Sequence, residues 1–413
     1  MSVTQLPATG QTTGLDCSPA RTFLFDRQRT GRIRVPHTHS VAPKPRWAFP
    51  VRSNPPRGVE TAPAIDASGN VYFGCHDGCV YSVTPEGQIR WMYKTAAKVY
   101  ASPALLESND VVFAGGDGFL YTFSSEGELR WKRDLCSQYR RLSRKRRALH
   151  LLPQLNSILD LPRRRVSTTL AWASPNVSTE GDIYAVAQGQ GLWTLAQDGR
   201  IKQKFDLGWP DFHHSGVAID TVGNVYVASQ QNRVQCLSSD LTPTWTRPVA
   251  RRLQSWGNPS ICPERELITF PFARGEHVGK VIAFDAKGSL NWECDLPGGI
   301  RGSVTWNRDS DGIACTLHGY VCKLCGDTGR IKASVKLTNA KRGLWTSATI
   351  DFRNRLLITT KDSDTEGSIY CLNEDLSTRW RLSIGKSLSP PVIDVHGNVY
   401  VGSWDGTLKC FSF

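Results

Sequence analysis

No stretch of this 413-residue chain approaches the ~20 consecutive apolar residues that a membrane-spanning helix needs. The opening, "MSVTQLPATGQTTGLDCSPARTF", has neither the basic start nor the apolar centre of a secretory signal. It equally lacks a lipoprotein-type leader, and the expected compartment is the cytoplasm. No Ser-His-Asp pattern, zinc-ligand spacing or phosphate-binding glycine loop stands out, so no particular reaction is indicated and no metal or other cofactor is expected. "KDSDTEG" (361–367) carries acidic residues without the twelve-residue ligand spacing of a calcium loop and reads as a solvated turn. The marks of disorder are missing too. With 40% hydrophobic and 21% charged residues the composition is that of a soluble globular protein.

Twelve cysteines are present. A reducing compartment keeps thiols free, and Cys236, Cys371 and Cys410 fall at apolar strand positions, where a buried thiol acts as a small hydrophobe. The close pairs "CHDGC" (75–79) and "CKLC" (322–325) have no second pair or helical context for a zinc or redox role. They read as strand packing and turn filling.

What the chain does have is a repeat. "APAIDASGNVYFGCHDGCVYSVTPEGQIRW" (62–91) and "SPALLESNDVVFAGGDGFLYTFSSEGELRW" (102–131) align almost letter for letter. Each reads as four short strands separated by Gly, Asn or Asp turns, the pattern of antiparallel sheet. Further copies follow, and the markers Pro63, Pro103, Pro175, Val217, Pro259, Val304, Ala348 and Pro391 lie 40 to 45 residues apart, with one gap of 72. That is the length of a propeller blade. The eighth copy, "PPVIDVHGNVYVGSWDGTLKCFSF" (390–413), stops after three strands, while "KPRWAFP" (44–50) matches the fourth strand of the first copy, "QIRWMYK" (88–94). The expectation is therefore an all-β, eight-bladed propeller over 44–413 whose N-terminal strand completes the last blade. Residues 1–43 would be a partly ordered extension, with "FLFDRQRTGRIRV" (23–35) lying against the propeller.

The stretches "NVYFGCHDGCVYSV…GQIRW", "VVFAGGDGFLYTF…GELRW" and "NVYVGSWDGTLKCF" resemble the quinoprotein-like (PQQ-type) β-propeller repeats of quinoprotein alcohol dehydrogenases and of the outer-membrane assembly lipoprotein. The resemblance covers roughly 44–413 and implies the fold. Quinoprotein dehydrogenases hold calcium beside the quinone and often stack it on a vicinal disulfide. This sequence has no adjacent Cys pair and no recognisable ligand set, so quinone-dependent oxidation is rejected.

In such a fold the first strand of each blade lines the central channel. Three residues before each marker the copies carry Glu60, Tyr100, Trp172, His214, Trp256, Arg301, Trp345 and Leu388, and one step further in all eight residues are small. Small residues fit where eight backbones converge. The outer ring, with four aromatics, a Glu, a His and an Arg at a channel mouth, has the makeup of a small-molecule pocket. Blade order sets Trp172 across from Trp345 and Tyr100 across from Arg301, a cage for a cation or a flat ring. The same residues also fit a plain plug of the channel. The turns between second and third strands, among them His76, Asp77, Asp117, Glu276, His318 and Asp405, belong to the same rim. Two function classes stay open. The first is a binding or scaffold propeller for a small molecule or an acidic protein partner. The second is a cofactor-independent cyclase- or lyase-type enzyme, with Glu60 or His214 as acid/base and Arg301 holding an anion.

The 72-residue gap holds an insertion at 132–170. It carries eleven Lys/Arg against two Asp, most of the chain's net charge of +13. The run Arg140, Arg141, Arg144, Lys145, Arg146 and Arg147, with Leu142, Leu149 and Leu152 interleaved, predicts an amphipathic basic helix that Pro153 ends. It serves as a lid over the mouth, a docking patch for an acidic partner, or a solvated loop. Specific nucleic-acid binding is disfavoured, because no aromatic platform accompanies the charge. A monomer is expected.

Overall fold

The computed structural model describes residues 20–33, 41–53, 57–137, 173–187, 191–207, 215–229 and 232–413. Within them, 32 strands form eight separate four-stranded antiparallel sheets. Seven sheets follow chain order. In the eighth, Lys44–Pro50 is the outer strand beside Thr407–Ser412, with Trp47 opposite Cys410 and Phe49 opposite Leu408. The first strands of neighbouring blades contact one another around the axis. The propeller and its closure are those expected from the repeat. The predicted basic helix, and the residues Arg140 to Arg147 with it, lie outside the described residues, and among those described no helix is long and apolar enough to cross a membrane.

Burial explains the repeat's letters. In blade 1, Val71–Gly74 and Cys79–Val83 are buried throughout, because neighbouring blades cover both faces of the middle strands. Outer strands such as Thr378–Ser383 bury mainly one residue, Trp380. The "D…GNVY" phrase is a side-chain-capped turn. Asp66 accepts from the Asn70 amide and, at 2.8 Å, from the Tyr72 hydroxyl. Asp220 and Asp394 repeat this with Tyr226 and Tyr400.

The tryptophan of the "Arg-Trp" strand joins one blade to the next. Trp91 Nε1 donates to the Ser125 carbonyl at 2.8 Å, and its indole lies flat on Gly127, where a Cβ would sit 2.5 Å from Trp91 Cγ. Gly127 is in the left-handed region, φ 90°, so glycine is required there twice over. Trp47 on Gly87, Trp131 on Gly199, Trp245 on Gly288 and Trp292 on Gly329 repeat the contact, each indole donating to a carbonyl of the next blade. Two blades lack the tryptophan, having Gln203 and Ala333 at the equivalent pairing positions. The turns they face carry Leu241 and Leu376, both buried and both at positive φ, in place of glycine. In the first of these seams the Tyr184 hydroxyl reaches the Ser239 carbonyl at 3.1 Å, supplying the hydrogen bond the absent indole would make. At the eighth seam Trp380 packs on Phe413, with ring centroids 6.1 Å apart.

Residues 20–33 do more than lie against the propeller. Their carbonyls accept from the inner strands of six blades: Ala20 from Ile65, Arg21 from Leu105, Arg27 from Ile219, Gln28 from Ile261, Thr30 from Trp306 and Gly31 from Ile350. The segment thus closes the channel at the end opposite the mouth. Arg29 is fully buried within it. Its guanidinium donates to the carbonyls of Val217 at 2.6 Å and Ser174 at 3.0 Å, and burial lowers its pKa to about 9. Backbone carbonyls take its hydrogen bonds and the field of Asp26 adds to them, consistent with the rule that buried ions need dense hydrogen bonding.

All eleven described cysteines carry free thiols, and all are buried except Cys325. Cys322 and Cys79 fill strand positions, and burial raises both thiols above their usual pKa. Cys325, hydrogen-bonded by Thr328, is lowered instead. Alkylation of the native protein followed by mass spectrometry should therefore modify Cys325 before any other described cysteine. Equal labelling of Cys322 under native conditions would contradict this packing. For the seams, Trp292→Ala should cost about 3–5 kcal/mol in equilibrium unfolding, and a loss below 1 kcal/mol would show that the indole is not structural.

Candidate functional site: the channel mouth

The residues three before the markers do converge. Glu60, Tyr100, Trp256, Arg301, Trp345 and Leu388 line one cavity of about 130 Å³ on the axis, and Phe23 of the closing segment also lines it. The cavity is therefore blind. Trp172 and His214 lie outside the described residues. The ring of small residues is explained by crowding: a Cβ on Gly257 would collide with the Gly302 carbonyl, and one on Gly302 with the carbonyl of Thr346. Between them, serine hydroxyls hold the inner turns together. Ser303 Oγ accepts from Asn258 N at 3.0 Å and Ser347 Oγ from Ser303 N at 2.8 Å.

The cage is arranged differently from the one blade order suggested. Arg301 is held by the rings of its neighbours rather than standing free. Its guanidinium lies over Trp256, 3.3 Å from the ring centroid, and 5.2 Å from that of Trp345. The two indoles thus hold the protein's own cation rather than an empty cation site. Adjacent blades carry these residues, and a long side chain reaches its neighbours more easily than it spans the axis. Arg301 Nε and Nη1 are buried with no hydrogen-bond partner among the described residues. Burial, with Arg342 nearby, lowers its pKa to about 10, so it stays charged at neutral pH. An indole face stabilises a cation without using its N–H donors.

A second, larger cavity of about 420 Å³ adjoins the first, sharing Glu60, Tyr100, Trp345 and Leu388. It opens between the last and first blades and adds Arg57, Lys98, Arg342, Lys361, Lys386, His76 and Trp404. Lys386 Nζ sits 3.7 Å from the Trp404 ring centroid, and burial together with Lys361 lowers its pKa. His76 is buried against Tyr100, with centroids 4.4 Å apart, and its Nε2 lies 3.1 Å from Glu60 Oε2 without hydrogen-bond alignment. The rim aspartates are mostly turn residues. Asp77 accepts from Cys79 N and the Tyr81 hydroxyl, Asp117 from Phe119 N and the Tyr121 hydroxyl, and Asp405 from Thr407 N. Among the described residues no group of three or more His, Cys, Asp or Glu is placed to hold a metal.

Another cavity, about 600 Å³, is on the other face, beside the closing segment. Two of its three arginines are already engaged. Arg32 is paired with Glu264, and Arg21 donates to the Leu106 carbonyl.

A sequence model of the family described as outer membrane protein assembly factor BamB matches residues 179–412. The chain belongs to this family. Among solved structures it is similar to BamB from Moraxella catarrhalis, with 14% identity and a TM-score of 0.66, over 90% of this chain and all of that one. It is likewise similar to the computationally designed Ika8 protein, with 12% identity and a TM-score of 0.61, again over 90% of this chain and all of that one. At these identities the structural likeness speaks for the fold. No curated protein matches the sequence.

Sequence reasoning missed the basic residues of the side cavity. The signal was present, since Lys98 and Lys386 stand two residues before Tyr100 and Leu388 in their copies. Trp404 occupies the turn position that His76 holds in blade 1, both directly before the Asp-Gly of the turn.

Proposed function

We propose that this chain is a cytosolic binding or scaffold propeller whose mouth grips an anionic group of a small ligand or of an acidic protein segment. Arg301 carries the reading: a partly buried guanidinium stacked on two indoles, with Nε and Nη1 lacking an acceptor among the described residues. A buried donor without a partner costs about 1–3 kcal/mol. Such an arrangement persists where an absent ligand supplies the acceptor. The basic run from Arg140 to Arg147 adds charge of the same sign in the sequence, which suits an acidic partner. Free, buried thiols throughout the blades support a reducing compartment. Membership of the BamB family supports a scaffold role in kind without naming a partner.

The test uses tryptophan emission, since Trp256 and Trp345 sit at the site. Citrate and a hexaglutamate peptide are the probes, against wild type and Arg301→Met. At least one probe should change emission saturably in the wild type and not in the variant. The variant itself should gain about 1 kcal/mol in stability, because its unpartnered donors are gone. No response to either probe, with Arg301→Met unfolding earlier than wild type, would make Arg301 a structural plug and end the reading.

A further inference from the structure

The side cavity between the last and first blades has a charge imbalance that the axial site alone does not explain. Five cations line it, against one carboxylate, Glu60. Two of the five are balanced from outside the lining: Arg342 pairs with Glu276, and Lys361 with Asp364 at 2.8 Å. Arg57, Lys98 and Lys386 have no ion pair among the described residues. Lys386 is partly buried and is held by the Trp404 face, which leaves its three donors free. His76 presents a buried Nε2 without a hydrogen bond in the same wall. Tyr100, Trp345, Trp404 and Leu388 give the cavity an apolar side large enough for a ring, and about 420 Å³ is within the range of small-ligand pockets.

We propose that this cavity binds a phosphate monoester of a small planar molecule, its phosphoryl group held by Arg57, Lys98 and Lys386 and its ring by Tyr100 and Trp404. The inference rests on the mouth being a binding site and adds the ligand's class. A phosphate monoester carries about −1.5 to −2 charge near neutral pH and three strong acceptor oxygens. Those features match three cations that line one cavity without an ion pair among the described residues. Lysine serves such a group as a point charge, and arginine adds a planar fork. Dicarboxylates carry similar charge on two separated planar groups and fit three convergent donors less well. Glu60 lies 3.1 Å from His76 and acts on Lys386 only through its field, without forming an ion pair.

Isothermal titration of the full chain at low ionic strength tests this, with phenyl phosphate, inorganic phosphate and malonate as probes. Phenyl phosphate should bind with one-to-one stoichiometry. Inorganic phosphate should bind several-fold more weakly for want of the ring, and malonate at least tenfold more weakly. Lys386→Met and the exposed Lys98→Met should each weaken phenyl phosphate about tenfold. Unchanged binding to both lysine variants, or malonate as tight as phenyl phosphate, overturns the proposal. Loss of phenyl phosphate binding only in Arg301→Met places the anion on the axis, so that the mouth reading survives and this one fails. Silence from all three probes, together with silence from citrate and hexaglutamate, ends both.

Discussion

An indole lying on the next blade's turn sets the geometry of this molecule. Each sheet is a small object that cannot bury its two faces alone. The tryptophan at the outer edge of one blade fixes the distance and angle of its neighbour by stacking on a turn glycine and donating to a turn carbonyl, as Trp91 does on Gly127 and at Ser125. Repeated around the ring, that angle decides how many blades close. The closing strand obeys the same rule, since Trp47, supplied from the N-terminal side, sits on Gly87 of blade 1. The two exceptions are informative, because the loss of the indole at Gln203 and Ala333 coincides with Leu241 and Leu376 in the opposing turns. A leucine at positive φ is strained. It is found here where the seam would otherwise contain a hole.

Everything at the axis follows from that ring. Once eight first strands converge, their close approach demands small residues, and Gly257 and Gly302 have no room for a Cβ. The channel would run through the molecule, but residues 20–33 close one end with backbone carbonyls and with the buried Arg29. What remains is a blind mouth. Its cations are managed in two ways. Arg29, at the closed end, spends its donors on carbonyls, whereas Arg301 and Lys386, at the open end, rest on indole faces. The first arrangement is a finished structural joint, and the second leaves Arg301 Nε and Nη1 without acceptors among the described residues. That contrast within one chain is the basis for reading the mouth as a binding site.

Local pattern made much of this legible. The four-strand repeat and the "KPRW" strand that completes the last blade depend on short-range periodicity and stand in the structure where they were expected, and six of the eight residues three before the markers line one cavity. Side-chain partnerships were not legible. Blade order did not show that Arg301 lies on its neighbours Trp256 and Trp345, because its reach depends on rotamer and blade angle. Lys98 leads into the second blade while Lys386 and Trp404 belong to the eighth, and only closure of the ring makes them one cavity. The closing segment occurs once, so no repeat announced its role, although "FLFDRQRTGRIRV" stood out as ordered.

The measurement that most directly tests this account is a double-mutant cycle at the seam between blades 3 and 4, read by equilibrium urea unfolding. Leu241→Gly alone should cost about 2–5 kcal/mol, through the cavity it opens. Gln203→Trp alone should gain nothing, since Leu241 occupies the indole's place. If indole and turn glycine form one interchangeable unit, the double variant should recover most of the loss, with a coupling above 1 kcal/mol. Additive effects, with the double variant as unstable as Leu241→Gly, would contradict the account.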